Sequence, residues 1–357
     1  MFNHVFFKNK KIFITGHTGF KGAWLSLWLF NLGAKITGYS LPPKTSEDIF
    51  HFLPSNCFVK SIIADIRNYA ELEQNIIQSN PDIIFHLAAQ PLVRESYFNP
   101  LETFDINIMG TANLLNCVRK LSKKCTIICV TTDKVYENKE WHYAYREVDR
   151  LGGYDPYSSS KAAAELIIHS FSQSFFNRNN YNEHLKIISS VRAGNVFGGG
   201  DFSTDRLIPD IIKNIQSNKP ITIRNPNSIR PWQHVLEPLC GYLSLAEKNY
   251  KNPAISGAYN FGPFINQQYN VQKLAELIVK HYGKGNLEFN QNSNQIHEAK
   301  NLQLDISKSQ SVLNWSPVLN FDLAIKWTTN WYKQKPEKKL AFSLLQIKKY
   351  QSLIFKP

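Results

Sequence analysis

Three short stretches of this chain carry side chains that could do chemistry together. Tyr157 and Lys161 stand four residues apart at the start of a helical pattern running from Ser158 to Phe171, so they share a helix face about one turn from each other. Thr131-Thr132-Asp133-Lys134 places hydroxyls, a carboxylate and an ammonium at the end of the apolar run Cys125 to Thr131. Open α/β sheets bind ligands at such carboxyl ends of buried parallel strands. Gly16-His17-Thr18-Gly19-Phe20-Lys21-Gly22 lies between a β-branched and aromatic run, Lys11 to Thr15, and a densely apolar stretch, Phe20 to Leu32, that Gly33 ends. Small residues in such a turn let backbone N–H groups approach a pyrophosphate, and the helix N-terminus offers it partial positive charge. The spacing is Gly-x-x-Gly-x-x-Gly instead of the commoner Gly-x-Gly-x-x-Gly, and with a strand before and a helix after it reads as a dinucleotide site.

The chemistry follows from the types. An ammonium beside a phenol favours the phenolate, and moving a tyrosine from its ordinary value to near neutrality takes on the order of 4 kcal/mol, which a close cation plus a nicotinamide ring could supply. A Tyr-x-x-x-Lys pair alone is equally well a surface pair on a helix. Downstream of a Gly-rich turn and a Thr-Asp strand end it reads as catalytic.

The elements that must position these groups alternate in type. Lys35 to Tyr39 is a second strand, ending Gly38-Tyr39-Ser40 with no acid for an adenosine ribose, while Lys44 could suit a 2′-phosphate, so NAD and NADP both stay open. Val59 to Ile63 is a third strand leading to Asp65, placed either to accept from an adenine amino group or to cap a helix. Pro81 to His86 is a fourth, running into Leu87-Ala88-Ala89-Gln90, whose small residues would let a cofactor pass over the strand ends. A helix from about Leu101 to Leu121, the strand Cys125 to Thr131, and a strand Ile187 to Val191 followed by a glycine-rich loop complete a doubly wound parallel sheet. Beyond it lie short strands, Ile221 to Arg224 and Ile229 to Val235, helices starting near Leu207, Pro238 and Asn270, an aromatic helix Phe321 to Trp331, and a basic amphipathic stretch Lys338 to Tyr350. Arg206, Arg224 and Arg230 in this irregular part are candidates for gripping a diphosphate bidentately.

Composition narrows the class. With 357 residues, 43% of them hydrophobic, the chain can fill one large core or two joined ones. No apolar run approaches the roughly 18 residues that span a bilayer, which predicts no membrane partner and a cytoplasmic protein. The formal charge of +13 is scattered apart from a cluster between Lys333 and Lys349, a pattern that reads first as a Lys- and Asn-rich background composition and second as a match to a phosphate-bearing substrate, with no nucleic acid expected. Five cysteines without a Cys-x-x-Cys read as reduced core residues, and no metal site is expected.

On these residues the chain is similar to the extended short-chain dehydrogenase/reductase family of nucleotide-sugar enzymes. Within that family it most resembles 4,6-dehydratases acting on CDP-glucose. The cofactor turn continuing into Trp24-Leu25, His86-Leu87-Ala88-Ala89-Gln90-Pro91-Leu92-Val93-Arg94, Asp155-Pro156-Tyr157-Ser158, Arg192-Ala193-Gly194-Asn195-Val196, Arg206-Leu207-Ile208-Pro209-Asp210 and Arg230-Pro231-Trp232-Gln233-His234 carry the likeness, over about residues 8 to 332. The resemblance implies a Rossmann domain of residues 1–190 plus about 228–262, a smaller interleaved nucleotide-sugar domain of about 191–227 and 263–335, and a basic tail, 336–357. It implies a tetrad of Asn107, Thr132, Tyr157 and Lys161. NAD would be held by Gly16, Thr18, Gly19, Phe20, Lys21, Gly22, Asp65, Ile66, Leu87, Ala88, Ala89 and Gln90 together with Asn107, Tyr157 and Lys161. Arg94, Asn195, Arg206, Arg224, Arg230, His234 and His297 would bind CDP-glucose. A homodimer or homotetramer, and deoxysugar biosynthesis for surface polysaccharide, follow from the same likeness. Elimination across C5 and C6 needs an acid and a base reaching one sugar, which Asp133 and Lys134 supply at consecutive positions; a phosphate or cofactor contact remains open for Lys134. A C4 epimerase on the same scaffold, and a non-catalytic NAD-binding module, are the alternatives.

Overall fold

The computed structural model describes residues 2–223, 225–265, 269–289 and 301–355. Strands β1 (Lys11–Thr15), β2 (Lys35–Ser40), β3 (Lys60–Ile63), β4 (Ile83–His86), β5 (Cys125–Val130) and β6 (Lys186–Ala193) alternate with helices α1 (Phe20–Asn31), α2 (Tyr69–Ser79), α3 (Val93–Phe98), α4 (Pro100–Phe104), α5 (Gly110–Val118), α6 (Pro156–Ser174) and α7 (Tyr181–His184). There follow β7 (Val196–Phe197), α8 (Leu207–Gln216), β8 (Ile221–Ile223), β9 (Ile229–Arg230), β10 (Gln233–His234), α9 (Leu236–Lys251), β11 (Ala258–Phe261), β12 (Tyr269–Asn270), α10 (Val271–Tyr282), β13 (Leu287–Phe289), α11 (Ser307–Leu313), α12 (Phe321–Tyr332) and α13 (Pro336–Ile354).

Seven strands form one parallel sheet in the order β11-β6-β5-β4-β1-β2-β3, the expected doubly wound arrangement. The chain reverses its winding between β1 and β4, which opens a crevice above their carboxyl ends. Side chains of β5 and β6 are buried along their whole length, as a covered parallel sheet requires. Ile12, Ile14 and Ile128 pack with α1 and α9 on one face. Phe13, Ile84 and Ile127 pack with Leu72 of α2, Leu114 of α5 and Ile168 of α6 on the other. α1 is buried at every position from Gly22 to Leu29 because it lies between the sheet and other helices, which explains why its sequence shows no polar stripe. The five cysteines are free and buried, and burial pushes the Cys125 thiol up to about 12. Among the described residues no helix is long and apolar enough to cross a membrane, and no cluster could hold a metal ion.

One expectation needs correction, and two elements hold more detail than the sequence announces. The helix expected from about Leu101 to Leu121 forms as one continuous helical run over residues 100–118, in which α4 widens into a π turn, Asp105–Met109, before α5 begins at Gly110. The strand expected from Ile229 to Val235 splits at Pro231 and Trp232 into β9 and β10, since proline cannot donate to a ladder and each half pairs elsewhere, β9 with β12 and β10 with β7. The basic amphipathic stretch forms a packed helix. α13 exposes Lys338, Lys348 and Lys349 but buries Ser343, Ile347 and Tyr350, and the Tyr350 ring stands 5.6 Å from Trp28 of α1 while its hydroxyl donates to Glu237 Oε2 at 2.6 Å. Its apolar stripe decides its placement, and these three lysines lie on the outer side.

Candidate functional site

The glycine turn is pressed against the end of β4. Gly16 has φ of +76°, and a Cβ there would stand 2.7 Å from the Ala88 nitrogen; a Cβ at Gly22 would stand 2.1 Å from the Gly16 carbonyl oxygen. Only glycine keeps both backbones this close, so the cradle suits a ligand that must approach the main chain, as a pyrophosphate does. Thr15 Oγ1 accepts from the Leu87 and Ala88 nitrogens at 3.1 and 3.2 Å and meets His86 Nδ1 at 2.8 Å, which fixes the two strand ends together. At the end of β2 the absent acid is replaced by hydroxyls: Thr18 Oγ1 meets Ser40 Oγ at 2.8 Å and donates to the Leu41 carbonyl. Asp65 is engaged locally. Its carboxylate accepts the Arg67 N–H and pairs with the Arg67 guanidinium at 2.6 Å, a turn that holds its pKa below the usual carboxylate range, while the cap of α2 is Asn68 and not Asp65. Ile66 is packed under Gly110.

The π turn has a visible purpose. It carries Asn107, 1% exposed, inward, where Oδ1 accepts the Gln90 N–H at 2.9 Å and Nδ2 donates to the Gln90 carbonyl and to Ser160 Oγ at 3.1 and 2.8 Å. Asn107 thereby ties the segment after β4 to the first turns of α6. Widened turns of this kind are frequent at functional sites.

α6 starts at a well-made cap: Asp155 Oδ1 accepts the Ser158 N–H at 2.9 Å, Pro156 takes the first turn, and Gly153 leaves room where a Cβ would lie 2.1 Å from the Ser158 carbonyl carbon. This sets Tyr157 and Lys161 under the carboxyl end of β5, both nearly buried, with Lys161 Nζ donating to the Val130 carbonyl at 3.3 Å. Thr132 Oγ1 donates to Asp133 Oδ1 at 2.9 Å, whereas Asp133 Oδ2 is buried without a partner, in space that Gly194 keeps open. Burial raises the Asp133 carboxyl against the opposing pull of Lys134, Thr132, Arg230 and Lys21. Burial also takes the Tyr157 phenol up to about 12, although the Thr132 hydroxyl works the other way, and draws Lys161 down to about 8. The sequence led us to expect a phenolate favoured by Lys161; in the protein by itself desolvation is the largest influence on each group and disfavours both charged forms.

The remaining residues sort by place. Lys21, read from sequence as part of the cofactor turn, belongs to the same electrostatic cluster: burial brings it to about 8, with Arg206 and Lys161 acting in the same direction and Asp133 and Asp201 against. Lys134 is partly exposed beside Asp133. Arg206, immediately before α8, pairs with Asp201 Oδ2 at 2.8 Å; sequence reasoning passed over Asp201, whose signal was its position directly after Gly198-Gly199-Gly200. Arg94 meets Asp205 at 3.3 Å, the Asn195 carbonyl accepts the Gln233 N–H, and Arg230 lies near enough to act on Asp133. His234 is wholly buried, its ring 6.4, 6.2 and 5.9 Å from those of Trp24, Phe197 and Trp327, and burial holds it neutral with a pKa near 3. Arg224 and His297 lie outside the described residues.

Comparison with known proteins agrees with this arrangement. A family model described as GDP-mannose 4,6 dehydratase matches residues 13–328. The CDP-glucose 4,6-dehydratase of Salmonella typhimurium is 43% identical over 355 residues, covering 99% of each chain, and the CDP-paratose 2-epimerase of Salmonella typhi is 28% identical over 90% of this chain and 98% of that one. Among solved structures, a dTDP-glucose 4,6-dehydratase from Streptomyces venezuelae with NAD bound shares the fold at a TM-score of 0.77 and 18% identity, over 90% of this chain and 96% of that one.

Proposed function

Because the chain belongs to the GDP-mannose 4,6-dehydratase family of extended short-chain dehydrogenases/reductases, we propose that it is an NAD-dependent lyase that converts CDP-glucose to CDP-4-dehydro-6-deoxyglucose. NAD, when bound, takes hydride from C4 of the sugar and returns it at C6, so only a catalytic amount is required. Gly16, Gly19 and Gly22 would face its pyrophosphate, with Thr18, Phe20 and Lys21 beside them; Leu87, Ala88, Ala89 and Gln90 would pass beneath it. Asp65 and Ile66 would border its adenosine, and Asn107 would keep the cradle and α6 in register.

The chain's own residues then divide the work. Tyr157, hydrogen-bonded toward Thr132 and adjoining Lys161, takes the proton of the C4 hydroxyl. The 4-ketone acidifies the C5 hydrogen, which Lys134 removes, while Asp133 protonates the departing C6 hydroxyl. The observation that carries this reading is Asp133 Oδ2: a buried carboxyl oxygen without a partner, next to Thr132 and raised in pKa by burial, is the condition for a carboxylic acid that keeps its proton until a leaving group needs it. An epimerase leaves C5 and C6 untouched and has no use for it. Arg206, Arg230, Arg94 and Asn195 would hold the nucleotide diphosphate.

The same reading takes the protein to be cytoplasmic and a homodimer or homotetramer. Phe98, Leu101 and Met109, and Leu166 of α6, present exposed apolar side chains that support an assembly, and sedimentation velocity tests it. The function itself is tested by offering CDP-glucose, dTDP-glucose, UDP-glucose and GDP-mannose in parallel with NAD or NADP. Formation of the alkali-absorbing 4-keto-6-deoxy product from CDP-glucose with substoichiometric NAD is expected; product in strict proportion to added NAD would mean a simple dehydrogenase.

A further inference from the structure

α13 lies beyond the residues that the family model matches, yet it delivers a buried cation to a seam near the site. Lys339 is 7% exposed, and its Nζ stands 4.6 Å from the ring centre of Phe52, 4.7 Å from Trp331 and 5.6 Å from Phe202. An ammonium enclosed by ring faces is held by their quadrupoles, an attraction that strengthens on desolvation. Burial lowers its pKa, and Glu47 is the acid that acts against that.

The three rings come from three parts of the chain. Phe52 ends the turn Ile49–Phe52, on the side of the dinucleotide cradle. Phe202 belongs to the loop between β7 and α8, and Trp331 to α12. That loop is gripped from every direction. Gly199 rests on the Trp331 ring so closely that a Cβ would stand 2.1 Å from it. The Gly200 carbonyl accepts the Ile49 N–H at 3.3 Å. Tyr332 donates its hydroxyl to the Asp201 carbonyl at 2.6 Å. Trp331 Nε1 donates to Ser343 Oγ, which donates to the Lys339 carbonyl, both at 2.8 Å, so the tryptophan cannot turn without α13. At the end of this chain of contacts Asp201 holds Arg206.

We propose that Lys339 is a positioning residue: by pinning Phe52, Phe202 and Trp331 around one ammonium it fixes the Gly198–Asp201 segment, and through Asp201 it sets the direction in which Arg206 meets the substrate diphosphate. The inference rests on the reading of Arg206 given above. It goes beyond that reading by giving the C-terminal helix a part in nucleotide affinity. A misdirected guanidinium weakens ground and transition states alike, so its loss shows in KM and not in kcat.

The test is a double-mutant cycle with two readouts, steady-state turnover of CDP-glucose and equilibrium binding of CDP. Lys339→Met should raise KM and the Kd for CDP about three- to tenfold, with kcat within about twofold of wild type. Lys339→Arg, which keeps a cation over the rings, should restore both. In an Arg206→Ala background Lys339→Met should add nothing further. Should Lys339→Met melt below the assay temperature, Phe202→Leu removes one wall of the cage and carries the same comparison. Equal increments in the two backgrounds, an unchanged KM, or a fall in kcat alone would overturn the proposal. A wild-type enzyme that neither binds CDP nor turns over CDP-glucose would instead defeat the functional reading, so the two failures are told apart before any variant is made.

Discussion

Tyr157, Lys161 and Glu165 follow one another at four-residue steps along one face of α6, and two turns of helix separate two opposite solutions to burying charge. At the lower end Glu165 is fully paired. It accepts from Arg192 Nε and Nη2 at 2.9 Å, from Thr131 Oγ1 at 2.6 Å and from Ser190 Oγ at 2.7 Å, and although burial alone would raise it, these partners hold it below the usual carboxylate range. At the upper end Asp133 lacks a partner on Oδ2, Tyr157 is pushed up and Lys161 down. Burial is similar in the two places; the count of partners differs. A satisfied cluster stabilises the fold, and an unsatisfied one stores the tendency to exchange protons, at some cost in stability.

Four substitutions would break or sharpen that contrast. Tyr157→Phe should lower turnover by roughly 10³- to 10⁴-fold, with loss of both product and C5 hydrogen exchange in deuterated solvent and an unchanged melting temperature. Arg192→Leu should do the reverse. It leaves Glu165 buried and unpaired, so unfolding should become easier by about 3–5 kcal/mol in denaturant titration. Turnover per folded molecule should stay near wild type, and a drop of the Tyr157→Phe kind would erase the distinction between the two ends. Lys134→Ala should slow C5 exchange by about 100-fold while the change in cofactor absorbance on adding substrate survives; exchange at the wild-type rate would return Lys134 to a binding role.

The smallest effect concerns pH. Lys161 is depressed to about 8 in the folded protein, so between that value and its unfolded value of 10.5 the unfolded state binds more protons and stability rises with pH. Lys161→Met should remove up to about 1.4 kcal/mol per pH unit of that rise. Glu165, depressed from 4.5, contributes stability that is present above that value and lost as pH falls below it; because Glu165 also attracts Lys161, the same substitution should alter the acid limb, but less than the alkaline one, since Arg192, Thr131 and Ser190 still hold the carboxylate.

What could be read from the sequence follows from how local each signal is. The glycine turn and the Thr-Asp strand end act through backbone within a few residues, and both stand where their spacing placed them. The setting of His234 could not be read, because the rings that enclose it come from residues 24, 197 and 327 and no local pattern announces them. The π turn escaped for a different reason: one extra residue per turn leaves no mark on composition, and only the pairing of Asn107 with Gln90 and Ser160 reveals it. The amphipathic character of α13 was legible, but its partners were not, because Trp28 and Glu237 lie more than a hundred residues away in the chain.

The way α13 closes the molecule bears on how the polypeptide is made. The Phe2 ring lies 5.5 Å from that of Phe355 and 5.9 Å from Trp28, whose ring also meets Tyr350, so α1 is covered by α13, about 300 residues further along the chain. Until residues 336–354 have been translated, Trp28 and its neighbours on α1 have no lid, and the nascent chain offers chaperones an apolar surface directly behind its cofactor turn. Docking of α13 is therefore a late step in completing the side of α1 that lies behind the cofactor turn, and a chain cut before residue 336 would keep a paired sheet but leave Trp28 uncovered.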